Sequence, residues 1–372
     1  IANAPLGIFI ISFFAMKHLS FSFILLLISF SVCSQEKITL LFAGDLMQHQ
    51  GQIDAAKTTW GYDYDDCFKY VKEEIGKADI AIGNLEVTLG GKPYKGYPTF
   101  SAPDEYLYAM KDAGFDVLIT ANNHCLDTGK KGLERTVLML DSLKIPHAGT
   151  YVNREKRERT YPLRLEKNGF VIALLNYTYG TNGIEVQAPN IVNYIDKKVI
   201  SEDIQKAKEM RPDAIIACIH WGIEYKSLPN EEQKQLADWL LSKGVTHIIG
   251  GHPHVLQPME LRASPHSLDK NVVVYSLGNF ISNMSVFKTD GGAMLKLELT
   301  KRNRIVRVTD CSYSLVWTSR PALSGKKNYM LYPVSIDRAL LTPAEASRMK
   351  IFIDDSRRLL DEYNVGVEEY IF

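Results

Sequence analysis

The residues able to do chemistry sit in short motifs: Gly44-Asp45; Gly83-Asn84-Leu85-Glu86; Asn122-Asn123-His124; His220-Trp221-Gly222; and Gly250-Gly251-His252-Pro253-His254. Carboxylate and amide oxygens mixed with imidazole nitrogens, and no thiolate, form the donor set that suits borderline divalent ions. Two such ions held close together polarise a substrate and activate a water. Each residue alone has a plainer role, since Asp45 or Asn123 can cap a following helix and a lone His can simply pack in a core. Taken together they point to a metal site. His252 and His254 alternate around Pro253, which reads as a stiffened extended segment offering both imidazoles to neighbouring metals.

Such chemistry needs its side chains on one rim. Each motif follows a short apolar run that reads as a strand, over 38–43, 80–82, 117–120, 214–219 and 246–249. In an open α/β sheet the carboxyl ends of the strands converge on one crevice, where ligands bind. Helical spacing recurs between the runs, at Phe68, Val71, Ile75 and Ala78, over 106–110, at Leu133, Val137, Leu140 and Leu143, and over 200–210 and 231–243. Runs 161–166 and 170–176, turned by Asn168 and Gly169, read as an antiparallel pair. Strands over 272–275, 293–299 and 305–315 follow without helices between them, as a second, antiparallel-containing sheet. Residues 343–360 close the chain as a helix capped by Thr342 ahead of Pro343. With no repeat or low-complexity linker, 35–372 reads as one α/β domain, with a motif core over 37–299 and closing strands and helix over 300–372.

The 372 residues carry 43 Lys+Arg against 43 Asp+Glu, with 46% hydrophobic and 23% charged residues. That balance excludes disorder, a collagen-like fibre and a polytopic membrane protein as the main architecture. Zero net charge without a strong basic patch argues against a nucleic-acid partner. Arg154, Lys156, Arg157 and Arg159 are interrupted by Glu155 and Glu158, the pattern of a solvated charged face. Residues 1–34 read as an upstream extension, 1–15, followed by a signal peptide or anchor. Met16 and Lys17 open it, 21–30 form its apolar centre, and Val32-Cys33-Ser34 precede a cleavage point at Gln35. An uncleaved anchor and acylation at Cys33 are the alternatives. Export to the periplasm or cell surface is the expectation, leaving Cys67, Cys125, Cys218 and Cys311 in an oxidising compartment. None lies in a C-x-x-C spacing, and Cys125 and Cys218 read as small buried residues.

The order of the motifs, continued by Tyr275-Ser276-Leu277-Gly278-Asn279-Phe280, resembles the CapA or PgsA family of poly-γ-glutamate capsule synthesis proteins over 37–299. That family is in turn similar to the calcineurin-like metallophosphoesterases. The resemblance implies a four-layer αββα sandwich and two divalent metal ions, manganese, zinc or iron. It implies Asp45, Asn123, His220, His252 and His254 as metal ligands, and His124 as the phosphate-facing acid or electrophile. Two positions depart from the phosphoesterase pattern: Met47 stands where a His is expected, and Asn84 where a bridging Asp is expected. Glu86 is the replacement that keeps a carboxylate between two dications. His49 is the other candidate, and otherwise an exposed loop residue.

Asp127 either orients His124 as a catalytic partner or caps the helix beginning near Gly129. Asn84, Tyr177, Tyr179 and Asn279 are candidate substrate-binding residues; Tyr177 to Asn182 also reads as a plain turn, and Asn279 as a loop anchor. Trp221 reads as a packing residue. The expected function is an exported metal-dependent phosphoesterase-like hydrolase that forms or processes a poly-γ-glutamate-like polymer. Its substrate is that polymer or a phosphoester, and capsule synthase membrane components are its implied partners. The alternative, favoured by Met47 and Asn84, is a non-catalytic assembly or export component that keeps the fold.

Overall fold

A computed structural model describes residues 36–266 and 269–372; the expectations for 1–34 lie outside the described residues. The chain begins with β1 (Glu36–Leu46), α1 (Gln50–Ala56), α2 (Lys72–Gly76), β2 (Ile80–Leu85), α3 (Asp104–Asp112) and β3 (Val117–Ile119). It continues through α4 (Gly129–Ser142), β4 (His147–Ala148), β5 (Thr150–Tyr151), α5 (Arg154–Thr160), β6 (Leu163–Lys167), β7 (Phe170–Thr178) and β8 (Ile191–Val192). Next come α6 (Lys197–Glu209), β9 (Ala214–His220), α7 (Glu231–Ser242), β10 (His247–Gly251), β11 (Met259–Ala263), β12 (Lys270–Val274) and β13 (Asn279–Ile281). The last elements are β14 (Gly291–Arg302), β15 (Ile305–Ser319), α8 (Pro321–Ser324), β16 (Met330–Pro333), α9 (Pro343–Tyr363) and β17 (Glu368–Glu369).

Alternation along the strands explains the layers. In β1, Ile38, Leu40 and Phe42 face one way and meet Ile172 and Leu174 of β7, Ile216 and Cys218 of β9, and Val272 and Val274 of β12. Leu41 and Ala43 face the other way, onto Tyr106, Leu107 and Met110 of α3. The opposite face of the second sheet places Ala173, Leu175, Ile215 and Ala217 against Ile200 and Ile204 of α6 and Leu236 and Leu240 of α7. The result is helix, sheet, sheet, helix: the four-layer αββα sandwich. A one-residue slip of β1 would exchange its two apolar sets, and each buried Leu or Ile stabilises by about 1.5–3 kcal/mol, so burial on both faces pins the register. Met349, Phe352, Ile353 and Leu360 of α9 join the inter-sheet core, and Thr342 caps that helix in a reciprocal box with Glu345.

The first sheet runs β16-β15-β14-β1-β2-β3-β4, and the second β11-β12-β10-β9-β7-β6. This corrects the expected grouping of the closing strands. β14 pairs antiparallel with β1, and β15 extends the same sheet, whereas β12 lies parallel to β10 in the other. The motif-bearing strands are likewise divided, β1, β2 and β3 in one sheet and β9 and β10 in the other, so their rim lies where two sheets meet. The helix expected around Phe68 to Ala78 is broken into a 3-10 turn, Asp65–Phe68, and α2. The seven-residue α1 was not foreseen at all. Cys67, Cys125, Cys218 and Cys311 are all buried and free of disulfides. The charges of α5 are spent locally: Arg154 pairs with Glu158, Lys156 with Asp141 and Arg157 with Asp203. Among the described residues no helix is long and apolar enough to cross a membrane.

Candidate metal centre

The ends of β1 and β2 bring Asp45 and Asn84 into register, and Glu86 follows two residues on. All three are buried, as are Asn122, Asn123, His124, His220, His252 and His254. Asp45 has room because residue 251 has no side chain: a Cβ on Gly251 would stand 2.9 Å from Asp45 Oδ1. Two triads emerge, Glu86 with His252 and His254, and Asp45 with Glu86 and His220, each with ligand atoms within 4.8 Å of one another. Glu86 belongs to both. Its Oε1 lies 3.5 Å from His220 Nε2 and 4.0 Å from His254 Nε2. That Oε1 and His252 Nδ1 are buried without a hydrogen-bond partner. Orphaned acceptors of this kind are costly unless a ligand meets them, so the donor set fits divalent cations.

The surroundings orient these groups. His254 Nδ1 lies 3.0 Å from Asn279 Oδ1 and 3.4 Å from Asp45 Oδ2. An acceptor at Nδ1 places the proton there and leaves Nε2 free to ligate. Asn123 Oδ1 lies 2.8 Å from His220 Nε2. Asn122, which sequence reasoning passed over, donates to Asn84 Oδ1 and the Leu85 carbonyl and accepts from the His124 amide. Asn176 was also missed. From β7 its Oδ1 accepts from the Thr120 and Ala121 amides, fastening the loop after β3 to the second sheet. A polar residue at the end of an otherwise apolar run was the available signal for it.

Burial shapes the protonation states. It pushes the Glu86 carboxyl well above its ordinary range, and the adjacent Asp45 charge adds to this. Burial would also raise Asp45, but the hydrogen bond and charge of His254 outweigh it and hold Asp45 low. His220 is pushed well down by burial and then by His252. His252 is pushed to about 3, again by burial first and His254 second. Neutral imidazoles at His220 and His252, and a Glu86 carboxyl that can give up its proton as a cation binds, make a coherent ligand set.

Several expectations change. Met47 buries its side chain in the apolar layer under α3; its carbonyl accepts from Gln52 and Tyr106, and its amide donates to the Ile281 carbonyl. His49 is outside both triads: its ring packs 5.1 Å from Phe100 and its Nδ1 accepts from the Asn283 amide. It is neither ligand nor exposed. Tyr177 does not line the cleft; it is fully buried on the helix-facing side of β7, its hydroxyl donating to Asp203. Asn279 is also buried, divided between His254 and the Thr289 carbonyl. Asn84 lies within the cluster, its amide given to Asp45 and Glu86. All three are buried. Tyr179 is 47% exposed, with its ring 4.5 Å from that of His252. Asp127 does not cap α4; Oδ2 takes His124 Nδ1 and the Phe100 amide, each at 2.7 Å. Trp221 packs on Tyr275 and donates to its carbonyl. His252 and His254 are not on an extended segment: their φ values of 101° and 59° fold the motif into a tight turn.

Two facing sheets with this cluster at their shared rim define a four-layer α/β sandwich with a candidate metal centre. Residues 39–284 match the family described as Bacterial capsule synthesis protein PGA_cap. The chain is 28% identical over 276 residues to the Capsule biosynthesis protein CapA of Bacillus anthracis, covering 71% of this chain and 64% of that protein. It is 31% identical over 278 residues to the PGA biosynthesis protein CapA of Bacillus subtilis (strain 168), covering 72% and 69%. It therefore spans just under two thirds of the first relative and slightly more of the second. Among solved structures, a phosphatase of Mycoplasma pneumoniae aligns at a TM-score of 0.46 and 15% identity, covering 78% of this chain and 96% of that one. The chain belongs to the PGA_cap family of bacterial capsule synthesis proteins.

Proposed function

We propose that the protein is an exported, metal-dependent phosphoesterase-like hydrolase acting in the formation or processing of a capsular poly-γ-glutamate polymer, alongside membrane components of the synthase. The observation that carries the catalytic part is Glu86, shared by both triads with an orphaned Oε1. Asp45, Glu86, Asn123, His220, His252 and His254 would hold two divalent ions of the manganese, zinc or iron type. When bound, such ions supply Lewis-acid polarisation and an acidified water. The chain's own contribution centres on His124. Asp127 Oδ2 accepts a hydrogen bond from its Nδ1, and Phe100 packs edge-on 4.6 Å from the imidazole. That fixes the tautomer with Nε2 free to move a proton to or from the reacting group. Tyr179 offers the substrate an exposed aromatic face above His252.

Elemental analysis of the purified chain beside His252→Ala/His254→Ala, with turnover of phosphomonoesters and diesters, tests this reading. About two ions per chain, lost together with turnover in the variant, is the expected result. No stoichiometric metal after reconstitution would overturn it.

One observation favours a second reading. Asn84 Nδ2 donates to Asp45 Oδ1 at 2.8 Å and to Glu86 Oε2 at 3.2 Å, so an amide already satisfies two carboxylate oxygens that would otherwise await a cation. A non-catalytic component of polymer assembly or export would have this property.

A further inference from the structure

A cleft of about 580 Å³ lies between α1 and the segment around Lys92 to Tyr94. One wall is a single face of α1 that carries Gln50 and Asp54, continued by Lys57 just past the end of the helix. The other walls are Tyr62, Lys92 and Tyr94, the two tyrosine rings meeting edge to face at 5.3 Å. Lys57 and Lys92 are exposed, and among the described residues neither has a salt-bridge partner. Lys57 and Tyr62 are also bridged through their backbones, closing a turn that carries Trp60 outward at 96% exposure. A large aromatic ring left wholly in water next to a lined cleft is a second mark of a ligand surface.

The cleft is physically joined to the metal centre. Gly96 donates its amide to Gln50 Oε1, and a Cβ at residue 96 would come within 2.2 Å of the Gln50 nitrogen, so the loop lies directly on the start of α1. The same loop delivers Phe100, whose ring touches His49 on one side and His124 on the other. This loop is therefore the element that the cleft wall and the surroundings of His124 share.

We infer that the cleft is a docking subsite for an extended, amide-linked polycarboxylate that feeds the metal centre. The mixture of groups selects this class. Lys57 and Lys92 pair with carboxylates, Asp54 accepts from amide N–H groups, and the tyrosines cover the intervening methylenes. A polyphosphate or a nucleic-acid backbone lacks N–H donors and would leave the exposed Asp54 carboxylate facing like charge. The inference rests on the polymer part of the proposed function and gives it a location.

The test is fluorescence anisotropy of labelled poly-γ-glutamate with the full, metal-loaded chain. Lys57→Glu/Lys92→Glu should weaken binding at least tenfold and flatten its salt dependence, with melting temperature and metal content unchanged. Lys350→Glu, on the exposed face of α9, should bind as the parent does. Equal binding by the double variant would overturn the subsite while leaving the polymer reading in place. Absence of binding by the parent chain would overturn both. An equal loss toward polyphosphate would show a general charge effect and overturn the assignment to polycarboxylates. Asp54→Lys separates these cases further: it should improve polyphosphate binding by more than that of poly-γ-glutamate, which loses an acceptor for its N–H groups.

Discussion

Asn84 donates its side-chain amide to Asp45 across 2.8 Å, at the point where two parallel strands end side by side. The amide is held in that sense by Asn122, which donates to its oxygen. Asn84→Asp replaces a donor by a third carboxylate beside Asp45 and Glu86. Without metal the variant should melt at a lower temperature, because like charges are buried together. With metal it should bind divalent ions at least tenfold more tightly. Calorimetric titration of the chelated protein checks both, and unchanged affinity would mean that residue 84 does not face the cation.

The pairing of His124 with Asp127 predicts a kinetic signature. Asp127→Asn removes the acceptor that selects the His124 tautomer, while its amide can still occupy the same space. Turnover should fall by about 10²-fold, within the range for loss of a general acid or base. KM and metal content should change little, and His124→Gln combined with Asp127→Asn should be no worse than His124→Gln alone. Additive losses would mean that Asp127 acts independently of His124.

Away from the metal centre, His247 predicts a pH dependence of stability. It is buried at the start of β10, with Nδ1 accepting from the Val272 amide at 3.2 Å. Burial pushes its pKa down from 6.5 to about 3. The unfolded chain therefore binds a proton between pH 6.5 and 3 that the folded chain refuses. Its contribution is complete above pH 6.5 and is lost as the pH falls, by up to about 1.4 kcal/mol per pH unit. His247→Gln should be less stable at pH 7 yet show a slope reduced by one proton in urea melts of the chelated protein between pH 6.5 and 4. An unaltered slope would place that proton on another residue.

The proposed export predicts a defined amino terminus. Expressed with its leading segment in a bacterium, the chain should be recovered outside the cytoplasm with Gln35 first, as read by intact mass. Retention of Lys17 in the recovered protein would favour an anchor over a cleaved signal.

Most of the candidate cluster was legible because each of its residues lies within a few positions of the end of a short apolar run, and strand polarity alone sends such residues to one end. Asp45, Glu86, His220, His252 and His254 were placed together on that ground, and they meet in the two triads. What could not be read were partners supplied from far along the chain. Tyr177 and Asn279 looked alike as polar residues after strands, but one meets Asp203 in the outer layer and the other meets His254. The sheet membership of β12, β14 and β15 was illegible for the same reason, since all three are apolar strands whose partners are set by pairing across the fold. The helix α1 escaped because seven residues with only three apolar side chains show too little period.

The turn that carries His252 and His254 holds both residues at positive φ, a conformation costing of order 1–3 kcal/mol at a non-glycine position. Glycine would relax residue 252, and glycine or asparagine residue 254. Heat resistance and the imidazoles are thus in direct competition at these two positions. A library of this chain screened for survival at high temperature alone would enrich variants that had lost these two candidate ligands, so any campaign to harden the protein has to select for retention of both imidazoles in the same round.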